Sequence, residues 1–103
     1  MSDPMRIRAS VVGDKVEVKV LMAHPMESGL RKNADGSIIP AHFIDRVVAS
    51  CKGKTVLAAD WGPAVSKNPY LSFRFSGAAK GDMVSVTWTD NKGDTRTDEA
   101  AIA

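Results

Sequence analysis

A single cysteine, Cys51, is all the thiol this chain has. That excludes a framework of internal disulfides, so an ordinary packed core must hold the fold. Long apolar runs are missing as well. None approaches the roughly 18 residues of a membrane span, and the opening MSDPMRIRAS lacks the apolar stretch of a signal peptide. Composition alone therefore leans toward the cytoplasm or a mature, processed form. Charge of one sign is scarce too: 14 Lys and Arg stand against 12 Asp and Glu. Without a basic block or stripe there is no ground for nucleic-acid binding. No segment sustains a helical period, and there is no internal repeat, Gly-rich phosphate loop or nucleophile elbow.

What the chain does have is alternation. Its 103 residues suit one domain, 1–103, with a core that needs no staples. The run KVEVKVLM over 15–22 puts Val16, Val18, Val20 and Met22 on one face and Glu17 and Lys19 on the other. Its β-branched residues fit a half-buried strand. Met5, Ile7 and Ala9 alternate in the same way just before it. Residues 43–51 and 55–61 read as strands apolar on both faces, with Ile44 and Val48 opposite Phe43, Val47, Ala49 and Cys51. Such strands are covered twice or lie at an interface. Leu71, Phe73 and Phe75, then Val84, Val86 and Trp88, line two further inward faces. A last strand over 95–102 is expected to pair antiparallel with its predecessor across the turn at 90–94. Pro63 and Pro69 keep ladder pairing out of 62–69. About seven short strands separated by turns predict an all-β fold, an immunoglobulin-like β-sandwich of antiparallel strands. The absence of a Cys–Trp–Cys spacing excludes only the antibody-type domain.

Residues 24–40, HPMESGLRKNADGSIIP, interrupt this pattern. A loop this long in a small domain is functional or disordered more often than not, and large apolar residues argue against disorder. The turn at 33–36 predicts a small hairpin between 30–32 and 37–39. The sticky residues either fold back onto the core or face a partner. The partner reading assigns Met26, Leu30, Ile38 and Phe43 as contacts, with Arg31 and Lys32 steering at the rim. Phe43 is equally at home in the core. Apolar surface beyond what one core hides marks a binding module, which would self-associate as a homodimer when isolated.

Four side chains bear on chemistry. Cys51 is in phase with Val47 and Ala49, and a free cysteine in that position is ordinarily buried and inert, although Lys52 and Lys54 lie close. His24 and Met26, with Met22 and His42 nearby, are soft enough donors for copper, yet their spacing is not diagnostic. The bland alternative is that both histidines cap strand ends. Asp94, Asp98 and Glu99 beside Arg96 read as a solvated charge ladder, and the turn at 90–94 reads as turn chemistry.

The runs VLMAHPMESGLRKNADGSIIPAHFI, WGPAVSKNPYLSFRF and DNKGDTRTDEA, with the opening DPMRIRA, closely resemble the SoxZ family, the Z subunits of the Sox sulfur-oxidation carrier. The resemblance covers essentially the whole chain in order and length. It implies an immunoglobulin-like sandwich in a tight heterodimer with a second sandwich protein, SoxY. In that family the cysteine on SoxY's flexible Gly-Gly-Cys-Gly-Gly arm carries the sulfur intermediate of thiosulfate oxidation among other Sox enzymes. This sequence has no such arm. The resemblance therefore implies a non-catalytic companion of the SoxYZ carrier protein, not an enzyme, with no cofactor and no metal. It also implies the periplasm, reached by co-export with SoxY, against the compositional lean. The rival reading is a metal (copper) binding or thiol-active β-sandwich using His24, Met26 and Cys51.

Overall fold

The computed structural model describes residues 3–62, 65 and 67–103. Of the segment expected to stay unpaired, Pro63, Ala64 and Ser66 lie outside the described residues. Seven strands follow one another: β1 (Arg6–Val12), β2 (Lys15–Leu21), β3 (Ile44–Cys51), β4 (Lys54–Asp60), β5 (Tyr70–Phe75), β6 (Met83–Asp90) and β7 (Thr95–Ala101). They form two antiparallel sheets, ordered β1-β2-β5 and β4-β3-β6-β7. The chain is an all-β sandwich, as its alternation predicts.

The period of two does most of the building. Val16, Val18, Val20 and Met22 from one sheet, and Val84, Val86 and Trp88 from the other, are at most 1% exposed. Their alternate neighbours face out, where Glu17 of β2 accepts from Arg74 of β5 at 2.8 Å. Beyond β7, Ile102 bridges Ala9 of β1 in parallel, and the Ala103 amide donates to the Ala9 carbonyl. The chain thereby stitches the two sheets along one edge.

Two irregularities correct the expectation of strands apolar on both faces. On the β6 side of β3, the register jumps between Ile44 and Arg46. Asp45 is the extra residue, and the shift turns Ile44 inward together with Val47, both fully buried. Against β4 the register slips between Ala49 and Ser50, so that Val56 and Leu57 both pack on the core. A bulge sets two residues against one and re-aims side chains. The outer face of the larger sheet is left with Val48, Ala58, Thr87 and Thr97 in register, less apolar than strict alternation implies.

Between β2 and β3 the chain makes the small hairpin. Lys32 and Ile38 bridge, and the Asn33 amide donates to the Ser37 carbonyl at 2.8 Å. Residues 30–38 are all exposed, so this hairpin stands clear of the core. At its base Gly29 takes a φ of +85°, and a Cβ there would come within 3.2 Å of Ala41 Cβ. Among the described residues, no helix is long and apolar enough to cross a membrane.

Candidate metal centre

Three chain segments meet at the end of the sandwich where β2 stops and β3 starts. His24 lies two residues past the last inward residue of β2, Met22. Asn68 holds its backbone on both sides: the His24 amide donates to the Asn68 side-chain oxygen at 3.1 Å, and the Asn68 amide donates to the His24 carbonyl at 2.9 Å. His42 comes just before β3, where its amide and carbonyl pair with those of Glu27. Asn91 fastens this stretch to the β6–β7 turn, accepting from the Phe43 amide and donating to the Ala41 carbonyl. Asp90 ends β6. It shares the phase of Val84, Val86 and Trp88, so the pleat aims its carboxylate into the sandwich.

The three side chains converge. Nε2 of His24 is 3.1 Å and Nε2 of His42 is 2.7 Å from the same oxygen, Oδ2 of Asp90. The two imidazoles stand edge to face, with centroids 4.5 Å apart, and His24 meets the Trp88 indole in the same manner at 5.1 Å. Oδ1 of Asp90 accepts the amides of Lys92 and Asp94. Asp90 is 2% exposed and His24 4%, while His42 is partly open. A carboxylate this buried persists because four donors surround it. Burial alone would push its carboxyl up, but the hydrogen bonds from both histidines and the two amides outweigh that and hold it low. Burial pushes the His24 imidazolium down, opposed by its bond to Asp90 and reinforced by His42. The resting state is therefore neutral His24 against ionised Asp90.

These donors fit a metal. The ligand atoms of His24, His42 and Asp90 all lie within 4.8 Å of one another, and the two nitrogens stand 3.1 and 2.7 Å from the carboxylate oxygen, close to the roughly 3 Å spacing of neighbouring ligands around an ion bound at about 2.1 Å. They border a cleft of about 300 Å³. Its walls carry the carboxylates of Asp3, Asp90 and Asp94 against the ammonium of Lys67. Among these four groups, three negative charges against one positive leave a net of minus two, which a divalent cation offsets.

The residues singled out from sequence divide between this site and other places. His24 and His42 are in the cluster. Met26 is adjacent but buried, 7% exposed, with its sulfur accepting from the Ile44 amide at 3.3 Å. Phe43 packs partly on the core. Leu30 and Ile38 are 84% and 60% exposed on the hairpin, beside the exposed Lys32 and Arg31, the latter paired with Glu27. Cys51 is buried at the opposite end of β3, seven residues from Ile44 and so about 23 Å away along the strand. Burial, with Asp82 beside it, pushes its thiol up against the smaller pull of Lys52. It does not join the histidines. Asp90 is the residue that sequence reasoning missed. Its turn role is real, through Oδ1, but its phase with Trp88 was the signal that Oδ2 points inward.

Comparison with known proteins adds lineage to this geometry. The model of the sulphur oxidation protein SoxZ matches residues 5–101. The chain belongs to the SoxZ family. A comparison with curated proteins finds no match. Among solved structures, a superoxide reductase (neelaredoxin) variant from Archaeoglobus fulgidus in the reduced form superposes with a TM-score of 0.57 at 19% identity. The match covers 97% of this chain and 86% of that one, and at that identity it speaks to the fold.

Within the SoxZ family, the sequence led us to expect a non-catalytic companion, not an enzyme, described wholly by sulfur carriage. The buried His24–His42–Asp90 cluster overturns that expectation. A scaffold has no need of a carboxylate and an imidazole taken out of water together, since such a pair costs more to desolvate than apolar packing does. Convergent metal-ligating side chains at a cleft are the ordinary form of a reactive site.

Proposed function

We propose that this SoxZ-family chain is a metal-binding subunit whose His24, His42 and Asp90 take one divalent first-row transition ion, copper foremost. What supports the reading is the convergence of two imidazole nitrogens and one carboxylate oxygen on an acidic, half-enclosed cleft. Imidazole suits zinc, copper, iron and nickel, and affinity peaks at Cu²⁺ in the first-row series. Three protein ligands leave positions open toward the cleft, where a bound ion supplies Lewis-acid or, for copper, one-electron chemistry to a small ligand. The sandwich of this chain resembles one that carries a superoxide reductase, so the architecture is compatible with such a role. The experiment is calorimetric titration of the metal-free protein with Cu²⁺ and Zn²⁺. One equivalent should bind, and His42→Ala should weaken binding by about 100-fold, because it removes a ligand outright. Equal affinity in the variant, or no binding to the wild type, defeats the proposal.

The family also supports a partner. We infer that the chain pairs with SoxY in the periplasm and that the hairpin contributes to the contact. Among the described residues, Leu30 and Ile38 are the most exposed large apolar residues outside the strands, and Arg31 and Lys32 lie beside them in the chain. Replacing both Leu30 and Ile38 with Asp should weaken co-purification with the cognate SoxY at least tenfold without lowering thermal stability. Unchanged binding would remove the hairpin from the interface.

A further inference from the structure

We propose that metal loading flips the Pro25–Met26 peptide bond, which acts as a strained latch on His24. This rests on the metal reading above and concerns how the site opens. The Met26 amide donates to Nδ1 of His24 at 3.1 Å. Nδ1 therefore presents a lone pair, and the neutral ring carries its hydrogen on Nε2, where it donates to Asp90. In this state the atom that must ligate the ion is occupied by a proton. An ion needs that lone pair, so the proton must leave Nε2 and appear on Nδ1. One N–H is lost and one gained, and the ring stays neutral.

The exchanged tautomer then sets the Nδ1 hydrogen against the Met26 amide hydrogen, two donors in the place of one bond. The ring has little room to turn away, because it is buried and wedged between His42 and Trp88. The backbone must yield instead. Met26 holds a φ of +48°, a left-handed conformation that costs a non-glycine residue free energy and persists only where its surroundings impose it. Rotating the Pro25–Met26 peptide plane by half a turn takes that φ to about −130°, in the broad β region. The same rotation removes the Met26 N–H from Nδ1 and brings the Pro25 carbonyl toward it as an acceptor. Metal-bound histidines ordinarily give their second N–H to such a carbonyl or to a carboxylate. Relief of the positive φ and repair of the Nδ1 bond thus happen in one motion.

Zinc is the probe, being diamagnetic and redox-silent. Nitrogen-15 NMR of the imidazoles should show His24 as the Nε2–H tautomer without metal and the Nδ1–H tautomer with one equivalent of Zn²⁺. A crystal structure of the zinc form should show Met26 at negative φ. Met26→Ile tests the strain separately, since a β-branched residue disfavours positive φ more than methionine does. It should bind Zn²⁺ several-fold tighter than the wild type. Zinc held with Met26 still at positive φ, zinc held by His42 and Asp90 alone, or an isoleucine variant of equal or weaker affinity would overturn the latch and leave the metal site standing. Absence of any zinc binding would overturn both.

Discussion

Asp90→Ala is expected to lower folding stability by about 3 kcal/mol or more and to abolish metal binding. The magnitude follows from what loses its acceptor. Oδ2 receives His24 and His42, and Oδ1 receives the amides of Lys92 and Asp94. Each buried donor left unpaired costs about 1–3 kcal/mol, and the His24 N–H is wholly enclosed. The backbone amides add a second penalty by loosening the turn that joins β6 to β7. Asp90→Asn separates the two contributions. Its side-chain oxygen can still serve the turn, but its NH2 group then faces two imidazole donors. It should retain part of the stability and none of the affinity. Asp94→Ala, changing an exposed side chain in the same turn, should stay within about 0.5 kcal/mol of the wild type. Urea unfolding followed by tryptophan fluorescence measures all three, with Trp88 beside the site as reporter. A loss under about 1 kcal/mol for the alanine variant would mean that water replaces the carboxylate without penalty, and that the cluster is not enclosed as described.

The fold was legible in the sequence because its signal is local. Val16, Val18 and Val20, or Val84, Val86 and Trp88, announce an inward face through a period of two, and both of these faces are buried in the structure, with Leu71, Phe73 and Phe75 packed partly against them. The hairpin at 30–39 was legible for the same reason, through its Asp35–Gly36 turn. What escaped were effects that depend on neighbours in space. Strict alternation placed Ile44 on the outer face of β3, and only pairing with β6 reveals that Asp45 is an inserted residue. The histidines were visible as soft donors, but they stand 18 positions apart, and nothing local says that the loop between them closes. Asp90 was the one member of the site with a usable signature. It lies in phase with a buried tryptophan, and a carboxylate on an inward face demands donors. Its resemblance to ordinary turn chemistry masked that demand, because it performs both jobs with different oxygens. The burial of Met26 was likewise not legible locally, because its amide is held by the His24 imidazole and its sulfur accepts from the Ile44 amide, both partners set by the loop's fold.

Acidification should destabilise this protein in two stages, the first beginning at a pH where its ordinary carboxylates are still ionised. His24 in the unfolded chain takes up a proton near pH 6.5. In the folded state burial opposes the imidazolium, Asp90 partly compensates and His42 adds opposition, so the folded value is lower. Between the two values the unfolded chain binds more protons than the folded one, and stability falls as pH drops through that interval. Asp90 acts later and in the same direction. Its folded value lies below the ordinary 3.8, so the stability it confers is present above that pH and is lost as pH falls through the folded value. The other lowered carboxyls, Glu17, Glu27, Asp35, Asp82 and Asp98, have ordinary values of 4.5 or less. They therefore add little between pH 5 and 6.5. Urea midpoints at pH 7.5, 6.0 and 5.0 should decline steadily for the wild type, whereas His24→Gln should be less stable at pH 7.5 and decline less over that range. Saturating Zn²⁺ should raise the midpoint at pH 7.5 and steepen the decline, because protons compete with the ion for the same nitrogens. A midpoint that rises on acidification to pH 5.5 would require a charged His24 held by Asp90 in the folded state. The Met26 amide would then have no lone pair to meet at Nδ1, and the geometry of the whole centre would have to be drawn differently.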